Sequence, residues 1–152
     1  MPLKRLWHKS YASDVPAEIN LEKITMAEAL ARTANNYPER VALMYMGKKI
    51  TFRQLEKLVN QFTRALIDIG IKQGDIVSIL LPNIPQIIIA NHAAYRAGAV
   101  TAMNNPLYTE RELTYQVNDS DATVLVTLDL LLPRVLKIKG DTKIKTIITC
   151  HI

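Results

Sequence analysis

Few of the reactive side chains in this 152-residue chain stand where chemistry needs them. Work on nucleotides requires backbone N–H groups close to phosphates, which clustered glycines at a helix N-terminus provide. Here Gly47, Gly70, Gly74, Gly98 and Gly140 are isolated from one another, with no GxGxxG or Walker-type loop. His8, His92 and His151 have no metal-ligand spacing to each other or to Cys150. Ser10, Ser13, Ser78 and Ser120 lie outside any GxSxG elbow, and read as loop, strand and cap residues. The best binding candidates are Asn104, Asn105 and Pro106, with Tyr108 just beyond. They follow a short apolar run, so they fall at the C-terminal end of a strand, the edge where open α/β sheets bind ligands. Asn-Pro also initiates turns, and the turn is the favoured reading of these residues. His92, mid-helix among alanines, reads as structural. Tyr95, Tyr108 and Tyr115 read as core tyrosines with bonded hydroxyls, a pocket lining being the alternative.

The elements that would hold these residues are well marked. Thr25 with Glu28, Thr51 with Gln54, and Thr109 with Glu112 each have the spacing of a capping box. They predict helices over about 26–37, 52–69 and 110–118. In the second, Phe52, Leu55, Leu58, Val59, Phe62, Ala65, Leu66 and Ile69 recur on one face, Ile50 is placed to staple onto Leu55, and Gly70 is placed for the C-terminal cap. Residues 41–45 and 48–51 read as a hairpin around Met46-Gly47. Beyond it the pattern alternates. Strands are expected at 75–81, 100–104, 123–127 and 145–150. Helices are expected from an Asn83 cap to about Ala97, with Pro85 in the first turn, and over 130–139 despite Pro133. Short apolar strands between helices indicate a mostly parallel sheet with right-handed crossovers. Residues 1–24 form an irregular arm with Trp7, Tyr11, Val15 and Ile19 as apolar anchors. Residues 25–152 form the α/β body. An alternating pattern that stops just after a strand fits a piece of a longer chain, or equally a small domain ending in a strand.

Composition narrows the classes. Apolar residues make up 49% and charged residues 22%, a globular balance. The net charge of +5 is partly local, in Arg134, Lys137, Lys139, Lys143 and Lys145. That tract reads as a solvated face, with attraction to an anionic membrane as the alternative. It is not interleaved with aromatics, so no nucleic-acid partner is expected. A single cysteine permits no internal disulfide, and Cys150 in its apolar run reads as an inert thiol. The start has no apolar signal region, and 76–100 is too interrupted to span a bilayer.

Several segments taken in order resemble one family. Trp7…Tyr11 with Val15-Pro16-Ala17-Glu18-Ile19, Ile50-Thr51-Phe52-Arg53-Gln54-Leu55, and Gly74-Asp75-Ile76-Val77 with Leu81-Pro82-Asn83 each contribute. The most specific is Arg96-Ala97-Gly98-Ala99 through Asn105-Pro106-Leu107-Tyr108-Thr109 to Arg111-Glu112-Leu113. Together they are similar to the N-terminal portion of long-chain fatty acid–CoA ligases of the AMP-forming, adenylating superfamily. Asp121 departs from the pattern, which usually has Gly or Lys there. The resemblance implies a partial N-terminal subdomain of an adenylate-forming ligase. It implies a reaction of fatty acid, ATP and CoA, with Mg²⁺, giving acyl-CoA, AMP and pyrophosphate. It also implies dimer contacts through the arm and a cytoplasmic setting with peripheral contact at the inner membrane face. The family's phosphate loop, Mg²⁺-associated Glu and catalytic Lys have no counterparts here, so no catalytic, cofactor-binding or metal residue is assigned. The chain alone is expected to be non-catalytic. The alternative is a stand-alone interaction or lipid-binding module derived from such a ligase.

Overall fold

Three threonines start three helices, because each satisfies N–H groups that a helix leaves unbonded at its first turn. In the computed structural model, which describes residues 5–152, they open α1 (Met26–Asn36), α2 (Phe52–Asp68) and α4 (Glu110–Asp119). Each capping box is closed in both directions. Glu28 N–H donates to Thr25 Oγ1 at 3.1 Å, and Thr25 N–H donates back to Glu28 Oε2 at 2.7 Å. The pairs Thr51–Gln54 and Thr109–Glu112 repeat this.

Helix α3 (Pro85–Arg96) begins differently from expectation. Asn83 does not cap it; the cap position is Ile84, with no side-chain hydrogen bond. The residue before a proline is driven out of the helical region, and Ile84 accordingly sits at φ −122°, ψ 161°. Asn83 is left exposed in the preceding bend.

The helix exits share one device. After α2, Gly70 adopts φ +96°, and Ile71 N–H reaches back to Leu66 O at 3.0 Å. After α3, Gly98 does the same at φ +78°, with Ala99 N–H on Ala94 O at 2.9 Å. After α4, the left-handed position falls on Asp121, at φ +56°, a conformation that costs a non-glycine residue.

The body is one parallel sheet of β3 (Ile76–Leu80), β4 (Val100–Met103), β5 (Val124–Leu128) and β6 (Thr146–Cys150), in the order β4-β3-β5-β6. Val77 pairs with Thr101 and with Val124, and Val124 with Thr146. Central β5 is buried throughout, and β3 from Val77 onward, which explains their unbroken apolar runs. On one face Val77, Ile79 and Val126 pack with Val59 and Leu66 of α2 and Ala93 of α3. On the other Leu80 and Leu125 pack with Leu113 and Val117 of α4 and with Val135 of α5 (Leu132–Ile138). The connection through α3 runs outward from β3 to β4, and those through α4 and α5 run the opposite way. Helices on opposite faces keep all three crossovers of one hand. A separate antiparallel pair, β1 (Val41–Tyr45) and β2 (Lys48–Thr51), turns at Met46-Gly47, both with positive φ.

Other expectations change. The apolar face of α2 is narrower than its spacing suggested: Leu55, Val59, Thr63 and Leu66 are buried, while Leu58, Ala65 and Ile69 are exposed. Thr63 is tolerated inside because its hydroxyl donates to Val59 O at 2.8 Å. Within the arm, whose residues 1–4 lie outside the described part, Trp7 is 57% and Ile19 76% exposed. They do not anchor on the body. Residues 6–10 make a 3₁₀ turn, the ion pair Arg5–Glu18 lies within the arm, and Glu22 pairs with Arg32 of α1. Tyr115 is 70% exposed and Tyr95 is exposed as well, so neither is a core tyrosine.

Candidate functional site

The C-terminal ends of the parallel strands form one edge, carrying Leu81–Asn83, Asn104–Tyr108, Asp129 and Cys150–His151. Connections leave adjacent β3 and β5 in opposite directions here. This is the switch point at which open α/β sheets place ligands.

Asn104 is buried, 6% exposed, and its amide is fixed. Its Nδ2 donates to Ser78 Oγ at 2.8 Å and to Ala102 O at 2.9 Å, and its backbone N–H donates to Ile79 O at 2.8 Å. The side chain thus ties the exit of β4 to β3. Its Oδ1 is buried with no partner, an orphan acceptor at this edge of the sheet. Asn105 makes a turn: its Oδ1 accepts from Leu107 N–H at 2.9 Å, and its carbonyl accepts from Tyr108 N–H at 3.0 Å. Arg134 of α5 then clamps the loop. One guanidinium nitrogen donates to both Pro106 O and Tyr108 O, each at 2.7 Å. Tyr108 packs half-buried on the α4–α5 core and lines a surface hollow of about 570 Å³ with Arg111 and Tyr115. The four candidates are therefore brought together in one loop, with Asn104 facing the sheet and Tyr108 facing α4. Arg134 carries no sequence signal, because its partners are carbonyls 26 and 28 residues away.

A second polar cluster was invisible in the sequence. Arg96 meets Glu56 in a two-pronged pair, Nη1–Oε1 at 2.8 Å and Nη2–Oε2 at 3.0 Å. It also reaches Asn60 Oδ1 and, at 3.2 Å, Ala27 O, so one guanidinium links α1, α2 and α3. His92, one turn earlier on α3, has its protonation pushed down, first by burial and then by Arg96. Its Nδ1 is buried and unpartnered. Cys150 is half-buried, its Sγ–H pointing to Thr127 O at 3.6 Å. Burial and the Asp129 carboxylate push its thiol pKa up, which makes it a poor nucleophile.

These groups do not fit a nucleotide–Mg²⁺ centre. Among the described residues no three His, Cys, Asp or Glu side chains gather as a metal site. No two glycines cradle a phosphate; Gly98, the one with close neighbours, packs on Gln73 at 3.3 Å. Among the described residues no helix is long and apolar enough to cross a membrane.

Residues 30–151 match the AMP-binding enzyme family. A long-chain-fatty-acid–CoA ligase of Bacillus subtilis is 36% identical over 91% of the chain, and one of Salmonella typhimurium 34% over 96%. The chain spans about a quarter of each, 25% and 26% of their lengths. Among solved structures, a long-chain-fatty-acid–CoA ligase of Archaeoglobus fulgidus superposes on 88% of the chain and 28% of its own, with a TM-score of 0.83 at 21% identity. An anthranilate–CoA ligase in complex with anthranoyl-AMP superposes on 84% of the chain and 25% of its own, with a TM-score of 0.80 at 24% identity. The parallel sheet with helices on both faces, the turn at Asn105-Pro106 and the match from residue 30 to 151 lead to one conclusion: the chain belongs to the AMP-binding enzyme family.

Proposed function

We propose that residues 1–152 serve as the scaffold quarter of an ATP-dependent long-chain fatty acid–CoA ligase. The reaction converts fatty acid, ATP and CoA, with Mg²⁺, to acyl-CoA, AMP and pyrophosphate through an acyl-adenylate. The observation that carries this reading is 36% identity to such a ligase across 91% of the chain. In this division of labour, residues 25–152 form an incomplete AMP-binding subdomain and hold a wall of the acyl site through the Asn104–Tyr108 loop. In this reading phosphate binding and the chemical step belong to other parts of the ligase; among the described residues no two glycines cradle a phosphate and no acidic metal cluster forms. The arm, with Trp7 and Tyr11 exposed, is free to contact a second copy, and the setting is the cytoplasm with peripheral contact at the membrane. Fatty-acid-dependent exchange between ATP and labelled pyrophosphate tests this. The purified chain is expected to give none above background. Exchange by the chain alone would overturn the division of labour.

A further inference from the structure

Helix α1 is lightly held. Its buried side chains are Leu30 and Ala34. Among the described residues, the one hydrogen bond it receives from α2 or α3 is Arg96 Nη2 donating to Ala27 O at 3.2 Å. Glu56 and Asn60 of α2 fix that guanidinium from the other side. The polar grip of the body on α1 therefore passes through one cation. His92 stands four residues before it, one turn away on the same helix. Its ring is half-buried and meets Tyr95 edge-on, centroids 6.2 Å apart, and its Nδ1 has no partner. A neutral imidazole tolerates that. A protonated one brings an N–H without an acceptor and a second cation beside Arg96. Burial, and then Arg96, hold His92 neutral, while Glu56 pulls the other way. The imidazolium and Arg96 thus compete for one carboxylate. Other acids at α1 do not share this response. Hydrogen bonds with Thr25 hold Glu28 below the usual carboxylate range, and Arg32 does the same for Glu22. Both stay charged where a histidine protonates.

We propose that Arg96, Glu56 and His92 form an acid-sensitive clasp: protonation of His92 draws Glu56 off Arg96, and α1 comes away from α2 and α3 while the sheet stays folded. The segment joined to α1 through the Arg32–Glu22 pair is released with it. The inference stands apart from the ligase reading, since every group of the clasp lies on α1, α2 or α3.

The test is amide hydrogen exchange of the 152-residue chain at pH 7.5 and 5.5, read by mass spectrometry and corrected for the intrinsic effect of pH. Protection of Met26–Asn36 is expected to fall by about three- to tenfold at the lower pH. Its exchange should depend little on added urea, the mark of an opening smaller than global unfolding, whereas exchange in β3 and β5 should rise steeply with urea. His92→Gln should remove the acid response of α1. Arg96→Met should leave α1 open at both pH values, with no further response to acid. Circular dichroism checks the fold of each variant. Unchanged protection of α1 at pH 5.5, an acid response that survives in His92→Gln, or a urea dependence of α1 equal to that of β3 and β5 would each overturn the proposal.

Discussion

Replacing Arg96 by methionine keeps most of the side-chain stem and removes the charge that joins three helices. The consequence follows from the geometry. Glu56 loses both of its guanidinium bonds, and Asn60 Oδ1 and Ala27 O lose a donor. The Arg96 and Glu56 side chains are 17% and 23% exposed, so the carboxylate is left in a site only partly wetted. Breaking a fully buried pair costs about 3–5 kcal/mol. Discounting for the exposed fraction leaves about 2–3 kcal/mol. In a domain of this size 1 kcal/mol is worth about 2–4 °C, so Tm should fall by roughly 4–12 °C. Arg96→Lys keeps the charge without the fork and should lose about half as much. Urea unfolding gives the free energies. A double-mutant cycle with Glu56→Gln isolates the pair and should show coupling of about 1–2 kcal/mol. A cost for Arg96→Met under about 0.5 kcal/mol, as for an ordinary surface residue, would refute the reasoning.

Four further outcomes follow from the same structure. His92 has its pKa lowered in the folded state, so its stabilising contribution is complete above the unfolded value of 6.5 and is lost as pH falls through the folded one. Urea midpoints at pH 7.5 and 5.5 should therefore differ less in His92→Gln; an unchanged difference counts against this. Asp121→Gly relieves a left-handed residue at the end of α4 and should stabilise by about 0.5–1 kcal/mol despite losing the exposed Lys143 pair, and a destabilised variant would contradict that account. Asn104→Asp sets a carboxylate oxygen against Ala102 O inside the sheet and should cost about 3 kcal/mol in the same unfolding assay; a cost below 1 would be inconsistent with the buried donor geometry. Cys150 should react with a disulfide reagent at pH 8 at least about tenfold more slowly in the folded than in the urea-unfolded chain, and equal rates would show the thiol to be open.

What could be read from the sequence was whatever is local. Helix starts were legible where a threonine and an acid or amide three residues on close a box, and helix ends where Gly70 and Gly98 follow. The hairpin was legible because Met46-Gly47 is its whole turn. The parallel sheet was legible from apolar strands alternating with helices. The start of α3 was misplaced because the constraint of Pro85 on Ile84 outweighs the capping ability of Asn83. The exposure of Trp7, Tyr11, Val15 and Ile19 was not legible, because apolar residues without periodicity do not reveal what they touch. Within the site, the turn formed by Asn105 follows from Asn-Pro alone. The ties from Asn104 to Ser78, from Arg134 to two carbonyls, and from Arg96 to Glu56 cross 26 to 40 residues and have no spacing signature.

The division between scaffold and chemistry can be tested in a chimera. Residues 1–152 would replace the matching quarter of the Bacillus subtilis long-chain-fatty-acid–CoA ligase, and fatty-acid-dependent ATP–pyrophosphate exchange would be measured. The account predicts that the chimera exchanges while the chain alone does not. A chimera that folds and binds ATP yet forms no acyl-adenylate would contradict it.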